Sequence, residues 1–177
     1  LYGLNQFADV IDGGDDVDEI LLTDTDDAFF LHDSFSALHN SLNQTADNTT
    51  VRLIDLETIS AGDGDDLIDL TSEKFSLASI DMTLNGEAGN DILWAAQGDD
   101  TLNGGAGDDV LNGSAGNDIL IGGSGTDIFE FTATSGNDII TDFDKDVDEL
   151  HFYYRKDEAE ESAVTSINNG VVTWDAV

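Results

Sequence analysis

The chain has 177 residues, with five basic side chains against 39 acidic ones and a formal charge of −34. That balance argues against a nucleic-acid partner, since phosphate binding needs clustered Lys and Arg, and so much like charge opposes compaction unless cations neutralise it. The absence of cysteine removes disulfides and thiolate metal sites, no apolar run approaches the roughly 18 residues of a membrane span, and 40% hydrophobic residues speak against a plain acidic tail.

Taken in order, the chain starts at Leu1 with no initiator methionine and no basic-then-apolar leader, so a piece of a larger protein is expected. Residues 4–12, 13–21 and 22–30 fall into a nine-residue frame with Asp9, Asp18 and Asp27 at the sixth place. Ile11, Ile20 and Phe29 take the eighth place, while Phe7, Asp16 and Thr25 stand at the fourth, where later copies carry glycine. These copies are degenerate, and their turns should be less regular. Residues 31–60 break the frame and read as an excursion. Within it Phe35, Leu38 and Leu42 have helical spacing, which predicts a short helix over 34–42. His32 and His39 read as surface residues, because no cysteine or third histidine lies near them at ligand spacing. The segment VRLIDLETI (51–59) alternates like a strand and leads back to the repeats.

The frame resumes at 61–69 (AGDGDDLID), with Gly64, Asp66 and Ile68 in place. After a short insertion at 70–76, residues 77–85 (LASIDMTLN) keep Leu84 at the eighth place but put Met82 at the sixth. Residues 86–130 then repeat without a break: GEAGNDILW, AAQGDDTLN, GGAGDDVLN, GSAGNDILI, GGSGTDIFE. After a slip of two, 133–141 is a last copy, with Asp138 and Ile140. Across eleven copies the eighth place is always apolar and the sixth is Asp in all but one, so the pattern is structural and not that of a charged loop.

Glycines near the start of each copy permit a tight turn, and its last three residues alternate outward, inward, outward as a short strand. Nine residues then make half a coil and eighteen a full one. Strands of successive coils stack in parallel, and each buried eighth-place side chain contributes about 1.5–3 kcal/mol. That core is thin, and the carboxylates of stacked turns repel. Carboxylates and backbone carbonyls are all-oxygen donors suited to Ca²⁺, which would turn the repulsion into a bond. Partners must lie two copies apart: 86–94 with 104–112, 95–103 with 113–121, 104–112 with 122–130, and 113–121 with 133–141. Because 77–85 supplies a half-coil, 61–69 should pair with 86–94, and 4–12 should pair with 22–30. About five or six calcium ions follow from this stacking.

The tandem phrase, with GGAGDDVLN at 104–112 matching GGxGxDxUx in full, resembles the RTX (repeats-in-toxin, hemolysin-type) β-roll over most of 4–144. The resemblance implies an all-β, right-handed parallel β-roll stacked on Ca²⁺, spanning 1–144, with a C-terminal cap over 145–177. It also implies calcium ligands at the first, third and fifth carbonyls and the sixth-place carboxylate. In 104–112 these are Gly104, Ala106, Asp108 and Asp109. In 61–69 they are Ala61, Asp63, Asp65 and Asp66, and in 86–94 Gly86, Ala88, Asn90 and Asp91. In 95–103 they are Ala95, Gln97, Asp99 and Asp100, and in 113–121 Gly113, Ala115, Asn117 and Asp118. Gly122, Ser124, Thr126 and Asp127 follow in 122–130, with Asn137 and Asp138 in the last copy and Asp9 and Asp27 in the degenerate ones. The Ala95–Ala96 pair departs from the glycine pattern, so its turn is expected to be strained.

Residues 136–152 also resemble the segment that closes such rolls. An EF-hand over Asp142–Tyr153 fails, because Val147 and Tyr153 stand where glycine and an acid are required. A capping turn remains, with Phe143, Leu150 and Phe152 over the open end of the core and His151 pointing away. AVTSINNGVVTW reads as a β-hairpin turned at Asn169–Gly170. No HExxH, GxSxG or P-loop phrase occurs, so no enzyme is expected in these residues. By resemblance the chain is a non-catalytic module that folds on external calcium, in a protein exported by a bacterial type I secretion machinery. It would be secreted or held at the cell surface, as a monomer, with a surface or carbohydrate target engaged through other parts of the parent. A large surface adhesin is favoured; a secreted protease, lipase, epimerase or toxin, or a ligand-binding roll, are the alternatives. An ice-type face would need a row of threonines, and the third-place residues Ala88, Gln97, Ala106, Ala115 and Ser124 form none. Trp94, at an outward ninth place, either contacts a ligand or covers the 70–76 insertion.

Overall fold

In the computed structural model two rows of apolar side chains meet face to face between two parallel sheets. The structure describes residues 11–12, 17–30, 53–54, 56–71, 80–132, 135–153, 164–168 and 171–174. The first strands are β1 (Ile11–Asp12), β2 (Glu19–Leu21), β3 (Ala28–Phe30), β4 (Leu53–Ile54), β5 (Thr58–Asp63) and β6 (Leu67–Asp69). The centre holds β7 (Thr83–Ala88), β8 (Ile92–Trp94), β9 (Thr101–Ala106), β10 (Val110–Asn112), β11 (Ile119–Ser124) and β12 (Ile128–Thr132). Then come β13 (Ile139–Ile140), β14 (Glu149–Tyr153), β15 (Val164–Asn168) and β16 (Val171–Trp174). One sheet has the order β14-β12-β10-β8-β6-β3 and the other β15-β16-β13-β11-β9-β7-β5-β2. Alternate strands go to alternate sheets, as a half-coil of nine residues requires. No helix among the described residues is long and apolar enough to cross a membrane.

Register brings the eighth places together. Phe29, Ile68, Leu93, Leu111, Phe129 and Leu150 are successive partners in one sheet. Ile20, Ile59, Leu84, Leu102, Leu120 and Ile140 are partners in the other. Most are fully buried, and together they form the core. β6, β8 and β10 each bury one side chain between two half-buried neighbours, which is why an alternating pattern suffices to set their register.

Several expectations need correction. Residues 58–60 do not belong to the excursion: β5 starts at Thr58, pairs with β2 and buries Ile59. Residues 52–60 are thus a further copy, with Glu57 at the sixth place, where most copies carry Asp. Among the described residues the expected 4–12 to 22–30 pairing is not formed. β1 pairs with β4, and β3 lies one coil from β6. The physical reason is that the excursion leaves after β3 and rejoins beside β2, so one coil is enlarged while its register is kept. Neither Ala95 nor Ala96 is left-handed, the turn's positive φ falling on Gly98, and Ala95 is fully buried in the core, so the expected strain is absent from the alanine pair. The expected helix at 34–42, with His32 and His39, lies outside the described residues.

Two devices extend the sheets at the C-terminal end of the roll. β14 adds to β12 in parallel, opposing Leu150 to Phe129 and Phe152 to Phe131. The Phe143 ring meets Phe129 edge-on at 6.1 Å, and Phe152 stacks on Phe131 at 5.4 Å. On the other sheet β15 and β16 form the antiparallel hairpin, and β16 covers β13.

The fourth place of each copy explains the glycine there. Gly107 has φ +144°, and a Cβ on it would run into the Gly89 carbonyl one coil away. Gly107→Ala is therefore expected to cost about 2 kcal/mol or more, from left-handed strain plus the backbone clash. Urea denaturation in saturating calcium measures it.

Candidate metal centre

The turns at each edge stack into a ladder of carboxylates. On one edge the amides of Asp27, Asp66, Asp91, Asp109 and Asp127 donate in turn to Oδ1 of Asp66, Asp91, Asp109, Asp127 and Asp148, at 2.5–3.2 Å. On the other, the Asp18 amide donates to Glu57 Oε2 at 2.8 Å. Met82, Asp100 and Asp118 then donate to Asp100, Asp118 and Asp138 at 2.8–3.0 Å. The partners in the regular part are 18 residues apart; the insertions stretch this to 25 and 39 without breaking the ladder. The expected contacts of Asp91 with Asp66 and of Asp118 with Asp138 are both present.

Fifth-place side chains form a second, outer ladder running the opposite way. Asn90 donates its amide to Asp65 Oδ1, Asp108 to Asn90 and Thr126 to Asp108, each at 2.8 Å. Asp99 donates to Asp81, Asn117 to Asp99 and Asn137 to Asn117 at 2.9–3.3 Å. Asp and Asn are interchangeable here because the position needs only a side-chain oxygen that accepts from a backbone N–H, and Thr126 joins the ladder as a donor. Third-place carbonyls are tied as well: Ala88, Ala106, Ala115 and Ser124 accept from Gly64, Gly89, Gly98 and Gly107 at 2.7–3.0 Å.

The sixth-place carboxylates spend one oxygen on the ladder and leave the other. Oδ2 of Asp66, Asp91, Asp100, Asp109 and Asp118 is buried with no hydrogen-bond partner among the described residues. In Asp91, Asp109 and Asp118 this oxygen lies against the glycine that opens its own copy. A Cβ on Gly86 would collide with Asp91 Oδ2 and with the Gly104 carbonyl oxygen, and one on Gly104 with Asp109 Oδ2 and the Gly122 carbonyl. Two electron-rich oxygens from adjacent coils thus converge with no proton donor between them. Burial without compensation is costly for a carboxylate, and only a proton or a cation relieves it. Among the described residues no three acidic or histidine side chains converge, so an ion here must take most of its oxygens from the backbone.

Electrostatics agree. Burial pushes Asp91 up to about 7 and Asp100 and Asp109 up to about 6, and the carboxylates stacked near them add to the rise. Burial raises the Asp118–Asp138 pair as well, and also Asp66 and Asp127. Asp27 behaves otherwise. Its Oδ2 accepts from the Thr23 hydroxyl at 2.5 Å and the Thr23 amide at 2.8 Å, which holds its pKa below the ordinary value.

The donor set fits a hard, oxygen-seeking cation, and calcium best, since it accepts many carbonyl ligands in loose geometry. Gly86, Gly104, Gly113 and Gly122 all stand against the carboxylate of their own copy. Ala61 and Ala95 occupy the same first place but are buried in the core, and the Ala95 carbonyl accepts from the Ser114 hydroxyl at 2.8 Å. Asp63 is exposed, and Gln97 bridges to Ala115 in parallel. Asp9 lies outside the described residues. Sequence reasoning missed three participants. Asp18 has an unpartnered buried Oδ2 of the same kind, Glu57 replaces Asp in its ladder, and Asp148 continues the ladder beyond the last repeat. Eighteen-residue periodicity alone hides Glu57 and Asp148, because the insertions shift both out of phase. Asp142, one place in the rejected EF-hand, instead accepts from the Gly122 and Gly123 amides at 3.1 and 2.8 Å.

A family model described as the RTX calcium-binding nonapeptide repeat matches the chain in four copies, over residues 57–71, 83–111 and 94–129. No curated protein and no solved structure matches the chain significantly.

Proposed function

Because this chain carries an RTX calcium-binding β-roll, we propose that it is a non-catalytic module that folds on extracellular calcium, in a bacterial protein exported by a type I system. The observation that carries the reading is the row of buried, unpartnered Oδ2 atoms, which at Asp91 and Asp109 lie beside a carbonyl of the next coil. Asp66, Asp91, Asp100, Asp109 and Asp118 would supply the carboxylates. First-, third- and fifth-place carbonyls, among them Gly86, Gly104, Ala106 and Asp108, would complete each shell. When bound, the ion supplies positive charge between like-charged turns. The chain's own residues hold the carboxylates in place through the Oδ1–amide ladder and keep water out through the apolar rows behind them. At cytosolic calcium, repulsion within a chain of charge −34 keeps it extended and fit for export. Outside, at the 10⁻⁴–10⁻³ M affinities typical of extracellular modules, binding energy becomes folding energy. Isothermal titration calorimetry tests this: about five ions bound per chain with coupled folding supports it, and no heat of calcium binding overturns it.

The pH dependence has a definite sign. The buried aspartates have folded-state pKa values above the unfolded value, so the metal-free folded form holds more protons than the unfolded one. Their penalty on the metal-free fold is absent below pH about 4 and complete above about 7. In chelator, the β-sheet signal is therefore expected to grow as pH falls from 8 towards 4. In calcium the trend reverses, because protons compete for the same oxygens. Circular dichroism across that range checks both directions.

For the parent protein we favour a large surface adhesin, since degenerate copies and a long excursion interrupt the regular centre. A secreted protease, lipase, epimerase or toxin is the competing parent. The reading frame on either side decides: repeated extracellular domains support the adhesin, and a catalytic domain overturns it. A ligand-binding roll is the second reading. Register aligns Thr58, Thr83 and Thr101 at the seventh place of one sheet, a hydroxyl row absent from the third places. The row ends at Ile119 and Ile139.

A further inference from the structure

Three asparagine–glycine pairs fall at the junction of successive copies: Asn85–Gly86, Asn103–Gly104 and Asn112–Gly113. This dipeptide is chemically labile. The glycine backbone nitrogen, unshielded by any Cβ, attacks the asparagine Cγ. An N–Cγ bond forms, the side-chain nitrogen leaves as ammonia with protons from solvent, and a five-membered imide results. Water then adds to either imide carbonyl, giving aspartate or isoaspartate, with one new carboxylate in both cases. The attack requires the asparagine ψ to swing until the next nitrogen meets Cγ.

The three junctions differ in their freedom to do so. β7 and β9 run straight through theirs. Asn85 pairs with Ser60 and Asn103 on its two sides, and the register resumes past the glycine at Glu87 and Gly105. Asn103 pairs with Asn85 and Ile121, and Gly105 with Glu87 and Gly123. The Asn85 amide also donates to Ser60 Oγ at 3.2 Å. Turning ψ at either asparagine would break ladders on both flanks. β10, by contrast, ends at Asn112. There the Asn112 Oδ1 accepts from the Ser114 amide at 2.9 Å, which folds the side chain back along the Gly113 nitrogen and polarises Cγ. Ser114 itself sits at φ +67°, a left-handed conformation a side chain adopts at a cost. Asn112 is paired on one flank only, with Trp94, and the ψ swing has to break the single hydrogen bond its carbonyl accepts from the Ala95 amide at 2.9 Å.

We propose that Asn112–Gly113 is a water-driven deamidation site of the folded roll, and that folding shields the same dipeptide at Asn85 and Asn103. Isoaspartate at this point adds one backbone carbon between 104–112 and 113–121. It also sets a new charge before the turn that carries Asp118, whose amide donates to Asp138 and whose carboxylate accepts from Asp100. Ageing of the folded module thus starts on the edge interrupted at Met82.

The shielding at Asn85 and Asn103 depends on the roll being folded, and so rests on the calcium reading where calcium does the folding. The test incubates the whole chain in warm, mildly alkaline buffer with millimolar calcium or with chelator. Peptide mass spectrometry follows each junction, and circular dichroism follows folding in the same samples. In folded samples Asn112 converts at least about tenfold faster than Asn85 or Asn103, whereas in unfolded samples the three convert within about twofold of one another. Equal rates at the three junctions in a folded sample, or an Asn112 that stays intact there, overturn the proposal. A chain that is folded in chelator removes the calcium reading, and the excess of Asn112 over Asn103 conversion is then required in both samples.

Discussion

Asp109→Asn is expected to stabilise the metal-free roll and destabilise the calcium-bound one, a reversal of sign from a single atom. The asparagine keeps an acceptor for the Asp91 amide, which donates to Asp109 Oδ1 at 2.8 Å. Its own amide still donates to Asp127. What changes is the buried Oδ2, which becomes an NH₂ donor directed at the Gly104–Gly122 carbonyl cradle. Without metal this removes an uncompensated buried charge and supplies a proton to waiting carbonyls, worth about 1–3 kcal/mol. With metal it deletes a charged oxygen proposed to ligate the ion, and the calcium midpoint should rise at least about tenfold. Asp109→Ala loses the ladder acceptor too and should destabilise both forms. Circular dichroism in chelator as pH falls, where Asn should fold at a higher pH than the parent and Ala at a lower one, and urea denaturation in calcium separate the outcomes. If Asn and Ala behave alike in chelator, Oδ2 does not have the role given to it.

Leu111→Ala tests the other half of the design, the apolar rows. Leu111 is fully buried, with Leu93 and Phe129 as its neighbours in register and the opposite sheet's row facing it. A core one side chain deep on each face has little means of collapsing around a hole, because the ladders fix the coil spacing. The expected loss is about 2–5 kcal/mol in saturating calcium, read from urea denaturation. Because binding and folding are linked, the same variant should need more calcium to fold although no ligand has been touched. A calcium midpoint unchanged from the parent would separate folding from binding.

The centre of the roll was legible because two independent signals kept one period. Leu93, Leu102, Leu111 and Leu120 mark the buried row, and Asp91, Asp100, Asp109 and Asp118 mark the turn. Either series alone would have been ambiguous. Together they fixed the coil length, the parallel pairing and the partners of Asp91 and Asp118. The N-terminal half was less legible for a physical reason. A coil tolerates a long loop at its turn provided the strands re-enter in register, and sequence spacing does not reveal the length of such a loop. Ile59 re-enters beside Ile20 in this way, and Glu57 reaches the Asp18 amide with a longer side chain, so a pattern written for Asp passes over it. The cap was legible in its apolar residues. That β14 would continue the sheet in parallel was not, since Glu149–Tyr153 follows a turn of aspartates with no glycine frame. Asp148 does the work of a sixth-place aspartate through its hydrogen bond from Asp127, a contact set by three dimensions alone.

Far-ultraviolet circular dichroism of the chain at neutral pH, titrated from chelator into millimolar calcium, tests the central claim most directly. The buried, unpartnered carboxylates predict a largely unstructured chain in chelator and a cooperative rise of β-sheet signal at about 10⁻⁴–10⁻³ M calcium. A spectrum already rich in β-sheet in chelator, and unmoved by calcium, would contradict it.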